Sequence, residues 1–114
     1  MKILVIDDDV DFADGMAEML TLFGHDADTA HSCNDAVAAA RAKPFELALI
    51  DVGLAGRNGA ECARDLQKMS NEISCVLMTG YSADVLARMG ILPNEFGILR
   101  KPVKPEDLAP YLKD

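Results

Sequence analysis

Apolar and polar positions alternate in two rhythms along this chain. Short, nearly continuous apolar runs (Ile3–Ile6, Leu47–Ile50, Cys75–Met78, Phe96–Leu99) are separated by stretches in which apolar residues recur at helical spacing. The runs predict strands over 2–7, 46–51, 73–79 and 96–100, the first three of them covered on both faces. A further strand over 26–31 alternates and is more polar, which suits a sheet edge. In 10–23, Phe12, Met16, Met19/Leu20 and Phe23 mark a helix with Asp9 as N-cap and Gly24 after its end.

A second helix near 33–42 opens on Ser32-x-x-Asp35, a capping-box pattern, with Pro44 beyond its end. A third, near 59–69, puts Cys62, Leu66 and Met69 on one stripe. A short fourth helix spans about 82–89, followed by a loop over 90–95 rich in Gly, Pro and Asn. The fifth starts at Pro105 with Glu106 and Asp107 at its positive end. Pro110 makes it kinked or short, ending near Lys113. Alternating strands and helices predict an α/β, flavodoxin-like (βα)5 doubly wound parallel sheet with strand order 2-1-3-4-5.

Composition narrows the function. The 114 residues suffice for one domain, and a net charge of −8 disfavours direct binding to nucleic acid or to an anionic membrane. No apolar run reaches the ~20 residues of a membrane span, and the start lacks a signal-peptide core, so a cytoplasmic location is expected. Cys33, Cys62 and Cys75 read as small buried hydrophobes in a reducing compartment, and His25 and His31 as surface or loop residues.

The order 2-1-3-4-5 gathers the carboxyl ends of the strands at one edge. There the runs lead into Asp7, Asp8 and Asp9, into Asp51, into Thr79, and into Arg100, Lys101 and Pro102. Carboxylates packed together repel, a conflict that a divalent cation relieves, and oxygen-only ligands favour Mg²⁺. A carboxylate can also take a phosphoryl group, a transfer that needs mainly positioning and charge neutralisation. Taken alone, Asp7-Asp8-Asp9 would be a solvated turn and Lys101 a surface lysine; together with Asp51 and Thr79 they form a set. Arg100 and Lys104 read as solvated charges, the methionines Met16, Met19, Met69, Met78 and Met89 as packing residues, and Tyr111 as packing the last helix.

Val5-Ile6-Asp7-Asp8-Asp9, Leu49-Ile50-Asp51, Met78-Thr79-Gly80 and Lys101-Pro102, in that order, resemble the receiver domain of two-component response regulators over essentially the whole chain. The resemblance implies that Asp51 is the phospho-acceptor, that Asp8, Asp51 and the Gly53 carbonyl bind Mg²⁺, and that Asp7 assists through water. It also implies that Thr79 is the switch hydroxyl, that Lys101 pairs with the phosphoryl group across a cis bond to Pro102, and that Gly59 is a turn glycine. The implied partners are a histidine kinase or histidine phosphotransfer protein, docking near Asp11 and Asp14, and an effector domain or output protein. No catalysis beyond self-phosphotransfer and autodephosphorylation is implied.

The chain departs from the family in four places. Gly53 replaces a larger side chain, leaving the site more open, while the Tyr81 ring could cover it. Ala55 stands where Pro is frequent and predicts a freer loop. Ile98 replaces the usual switch aromatic, for which Tyr81 or Phe96 could substitute. Pro110 weakens the usual dimer face, so a monomer or weak homodimer is expected. Two rivals stay open: a degenerate receiver that binds partners without phosphorylation, and an aspartyl-phosphate hydrolase of the haloacid-dehalogenase type, for which Asp11 after Asp7-Asp8-Asp9-Val10 and the lack of a cap domain fit poorly.

Overall fold

The computed structural model describes residues 1–92 and 94–113; Pro93, within the loop expected over 90–95, and Asp114 lie outside them. Strands β1 (Lys2–Ile6), β2 (Asp26–Ala30), β3 (Leu47–Asp51), β4 (Ser74–Thr79) and β5 (Gly97–Arg100) alternate with helices α1 (Val10–Leu22), α2 (Cys33–Ala42), α3 (Gly59–Met69), α4 (Ala83–Arg88) and α5 (Pro105–Leu108). All pairings are parallel and the order is β2-β1-β3-β4-β5, as expected.

Strand periodicity divides the core. Ile3 and Val5 of β1, Leu47 and Leu49 of β3, and Val76 and Met78 of β4 pack with α1 and α5. Their alternates Leu4, Ile6, Ala48, Ile50, Cys75 and Leu77 pack on the other face with α2 and α3. That two-sided burial is why the central strands read as unbroken apolar runs. The polar β2 sits at the edge, as its sequence predicts.

Caps set the helix boundaries. Asp9, Ser32, Asn58 and Ser82 each accept a backbone N–H from the first turn of the helix that follows. Helix α1 buries Ala13, Met16, Ala17 and Leu20. The larger Phe12 and Met19 only flank this stripe, and Phe23 is exposed at the C-cap, where Gly24 (φ +94°) turns the chain. Small alanines on the inner face let the helix approach the sheet. Met69, the last residue of α3, is likewise exposed rather than buried.

Helix α5 is short, as Pro110 predicts, and gives way to a 3-10 turn at Ala109–Tyr111. Pro110 lacks the N–H that an α-helical bond to Glu106 would need. Tyr111 packs across onto β5, where a Cβ on Gly97 would lie 2.7 Å from its hydroxyl. No helix among the described residues is long and apolar enough to cross a membrane.

The expectation of three unpaired cysteines fails for two of them. Cys33, the first residue of α2, and Cys62 of α3 form a disulfide, with Cα atoms 5.7 Å apart. Helices α2 and α3 lie side by side on one sheet face, a proximity that a sequence separation of 29 conceals. Cys75 is free and buried, as expected, and burial pushes its thiol up to about 12.

Leu49 is fully buried at the centre of the sheet. Leu49→Ala is expected to lower unfolding stability by about 2–5 kcal/mol, measured by urea titration, with no change in α/β content by circular dichroism.

Candidate functional site

Register brings the acidic residues together. Ile6 faces Ile50 across β1 and β3, so the next residues, Asp7 and Asp51, leave adjacent strand ends. Alternation turns both toward the α1 side, the side of Val5 and Leu49. Thr79 closes β4 opposite Arg100, which delivers Lys101 to the same edge, and the Lys101 N–H donates to the Thr79 carbonyl at 3.0 Å.

Carboxylate oxygens of Asp7, Asp8 and Asp51 lie within 4.8 Å of one another. Their surroundings differ. Asp7 is 1% exposed, and its Oδ1 accepts the Asp9 N–H at 3.0 Å. Asp51 is half-buried, and Asp8 is exposed, its Oδ2 accepting the Ala55 N–H at 3.0 Å. Lys101 Nζ sits 2.8 Å from Asp7 Oδ2 and 2.9 Å from Asp51 Oδ1. Its charge also lies over the Phe12 ring, 4.4 Å from the centroid. The peptide bond between Lys101 and Pro102 is cis, as the family resemblance implies.

The electrostatics follow from this geometry. Burial holds the Asp51 carboxyl above its ordinary value; the bond to Lys101 opposes that rise, and the charges of Asp7 and Asp8 add to it. Burial alone would lower Lys101, but its bonds to Asp7 and Asp51 outweigh it and hold the ammonium above its ordinary value. Three carboxylates facing one ammonium leave an excess of negative charge, which suits a divalent cation with oxygen ligands.

A family model described as the response regulator receiver domain matches residues 3–113. The chain belongs to this family. Among curated relatives, the transcriptional regulatory protein ZraR of Salmonella typhimurium is 31% identical over 103 residues, which is 90% of this chain and 23% of ZraR. The DNA-binding transcriptional activator DevR/DosR of Mycobacterium tuberculosis is 29% identical over 119 residues, covering 100% of this chain and 54% of that protein. The receiver thus spans about a quarter to a half of the curated relatives it matches. A Burkholderia pseudomallei response regulator, crystallised with a phosphorylated aspartic acid, calcium ion and citrate, superposes with TM-score 0.85 at 27% identity, over 98% of this chain and 66% of that one. The Vibrio cholerae chemotaxis protein CheY4 shares the fold, with TM-score 0.84 at 23% identity over 96% of this chain and 93% of that one.

Within this receiver, Thr79 is 2% exposed and its Oγ1 accepts the Tyr81 N–H at 2.9 Å. Gly53 lies at the mouth of the site. A Cβ there would stand 3.4 Å from the Tyr81 hydroxyl and 3.6 Å from Asp51 Oδ2, so the tyrosine reaches toward the space the glycine leaves. Of the two possible substitutes for the absent switch aromatic, Phe96 is committed to the core, whereas Tyr81 is 45% exposed beside the site. Ile98 is partly buried against the core on the α2–α3 face.

Some contacts were not foreseen from sequence. Arg100, expected to be a solvated charge, donates to the Tyr81 carbonyl and ties β5 to the β4–α4 loop. Asn58 donates to the Met89 carbonyl at 3.0 Å, joining the start of α3 to the end of α4; its place before Gly59 signals only the cap. The loop after β3, which Ala55 predicts to be freer, is tied by Ala55 to Asp8, by Arg57 N to the Leu54 carbonyl at 3.2 Å, and by Gly59 N to the Val52 carbonyl at 2.9 Å.

Gly59 is required by contact rather than by φ, because a Cβ there would collide with the backbone carbonyl of Asp51. Gly59→Ala is expected to cost about 1–3 kcal/mol in urea unfolding and to shift the amide resonances of Asp51 and Val52.

Proposed function

We propose that this receiver accepts a phosphoryl group on Asp51 from the phosphohistidine of a histidine kinase or histidine phosphotransfer protein, and signals by a change of conformation. The observation that carries this reading is the Lys101 ammonium, 2.8 Å from Asp7 and 2.9 Å from Asp51, at the edge where the three carboxylates meet. The phosphorylated aspartic acid named for the Burkholderia pseudomallei relative supports it.

Asp7, Asp8 and Asp51, with the Gly53 carbonyl, would hold Mg²⁺, as the mutual approach of their oxygens and their surplus negative charge favour. Bound there, the cation supplies neutralisation of the transferring oxygens. A carboxylate oxygen of Asp51 attacks phosphorus, and the P–N bond to histidine breaks with its electron pair passing to the imidazole. Lys101, already beside Asp51, stabilises the charge that develops. Thr79 Oγ1 accepts from Tyr81 N, which leaves its hydroxyl proton available for a phosphoryl oxygen.

Once Thr79 turns toward the new charge, its bond to Tyr81 is the first to change. Tyr81 is tied in turn to Arg100, so the signal runs to β5 and the 90–98 region without an aromatic at Ile98. We assign the protein no turnover beyond self-phosphotransfer and autodephosphorylation. Further partners would be an effector domain or output protein, in keeping with relatives longer than this chain. A cytoplasmic location, a monomer or weak homodimer, and no direct contact with nucleic acid or membrane complete the reading, the last from the net charge of −8.

Incubation with Mg²⁺ and a small phosphodonor is expected to add one phosphate to Asp51 by mass spectrometry and none to Asp51→Ala. No gain, or an equal gain in the variant, would sink the reading. Lys101→Met should slow the labelling about 10²-fold.

Asp51 titrates above its unfolded value, so its contribution to stability is full below the unfolded pKa and is lost as pH rises through the folded one. Mg²⁺ should offset that loss. At tenfold excess over Kd it should add about 1.4 kcal/mol near neutral pH and much less near pH ~4, where the proton competes. Thermal melts with and without Mg²⁺ read this, and Asp51→Asn should largely abolish the difference.

A further inference from the structure

We propose that the Cys33–Cys62 pair is a redox-controlled latch, closed and opened by exchange with a low-molecular-weight thiol of the glutathione class, and that closing it speeds phosphoryl acceptance at Asp51. The second part rests on the acceptor reading above.

The bond joins the first residue of α2 to α3, and its Cα separation of 5.7 Å lies within the usual range for such a link. The chain it closes contains all of β3, with Asp51, and the whole loop that leads to α3. The two sulfurs have unequal surroundings. Arg57 Nη1 lies 3.4 Å from Cys33 Sγ, and Cys33 opens a ten-residue helix, so a cation and the positive end of a dipole both face it. Cys62 is fully buried within α3. Cys33, itself only 4% exposed, is therefore the exchanging sulfur, reached where the partly exposed Arg57 side chain covers it, and Cys62 the resolving one.

Arg57 connects the latch to the site. Its other Nη is 2.7 Å from Asp65 on α3, and its backbone N–H holds the Leu54 carbonyl. The same loop carries Gly53 and hands the Ala55 N–H to Asp8. With the latch closed, α2, α3 and Arg57 are braced together, and the loop between Asp51 and α3 is held at both ends. With it open, α2 and α3 keep only their side-chain packing, and Arg57 is held to α3 by Asp65 without the covalent tie. A loop already ordered loses less entropy when the site closes on a phosphoryl group, which is why the closed form should accept faster.

The exchange balances. The Cys33 thiolate attacks one sulfur of glutathione disulfide, whose S–S bond breaks; one glutathione leaves as thiolate and a mixed disulfide remains. Cys62 gives up its proton and attacks Cys33 Sγ, expelling the second glutathione. The protein's two thiols lose two electrons and two protons, and the oxidant gains them as two thiols. Cys75, buried and with its thiol pushed up to about 12, takes no part and serves as an internal control.

The 114-residue protein, equilibrated in glutathione buffers from reducing to oxidising and then alkylated, is expected to pass from three free thiols to one. Amides of the loop after β3 should exchange roughly threefold more slowly in the oxidised form, and Mg²⁺ with a small phosphodonor should label Asp51 roughly threefold faster. Cys33→Ser and Cys62→Ser should show neither dependence. The same thiol count in every buffer, equal loop exchange in the two forms, or labelling that is equal or slower on oxidation would overturn the proposal. Should Asp51 take no phosphoryl group in either form, the acceptor reading fails and, with it, the claim of faster acceptance; the thiol count and the loop exchange then decide the latch by themselves.

Discussion

The Lys101 ammonium, lodged between Asp7 and Asp51, is the interaction on which the active edge depends. Asp7 is almost wholly buried, and a carboxylate in that position is tolerated only with a partner. Lys101 supplies the partner from the far end of the sheet, so the chain must complete five strands before the charge on its first strand is compensated. Phe12 adds an aromatic face that keeps the ammonium over the site.

Everything that brings these groups together is ordinary sheet and helix chemistry. The two apolar faces of the central strands demand helices on both sides, and parallel pairing sends every strand the same way. The functional residues therefore emerge at one edge from an apolar framework that contributes only position. The cost is electrostatic: Asp51 is pushed above its ordinary value because the fold brings it out of water beside two other acids. That repulsion is one that a divalent cation with oxygen ligands would relieve.

The contacts that lead away from the edge are fewer. Thr79 touches Tyr81, and Tyr81 touches Arg100. On the other side the loop after β3 is held through Asp8, Gly59 and Arg57, and Arg57 reaches the disulfide between α2 and α3. Gly53 and Tyr81 face each other across the mouth of the site, so the openness of one is partly met by the reach of the other.

Strand runs, caps and the receiver motifs were legible because local rules govern them: burial on both faces makes an apolar run, and Asp9, Ser32 and Pro105 act on neighbouring residues. Strand order followed from the βα alternation, and with it the meeting of Asp7, Asp8, Asp51 and Lys101. On α1 the spacing of large apolar residues marks the helix, while Ala13 and Ala17, too small to stand out in the pattern, share the close packing on its inner face. The pairing of Cys33 with Cys62, the bond from Arg100 to Tyr81 and the link from Asn58 to Met89 left no local trace. By itself the sequence determined which residues reach the edge of the sheet, because strand periodicity and connection order are properties of the chain. Only the tertiary structure decided which side chains touch across helices and loops, because those contacts depend on how separately formed elements pack.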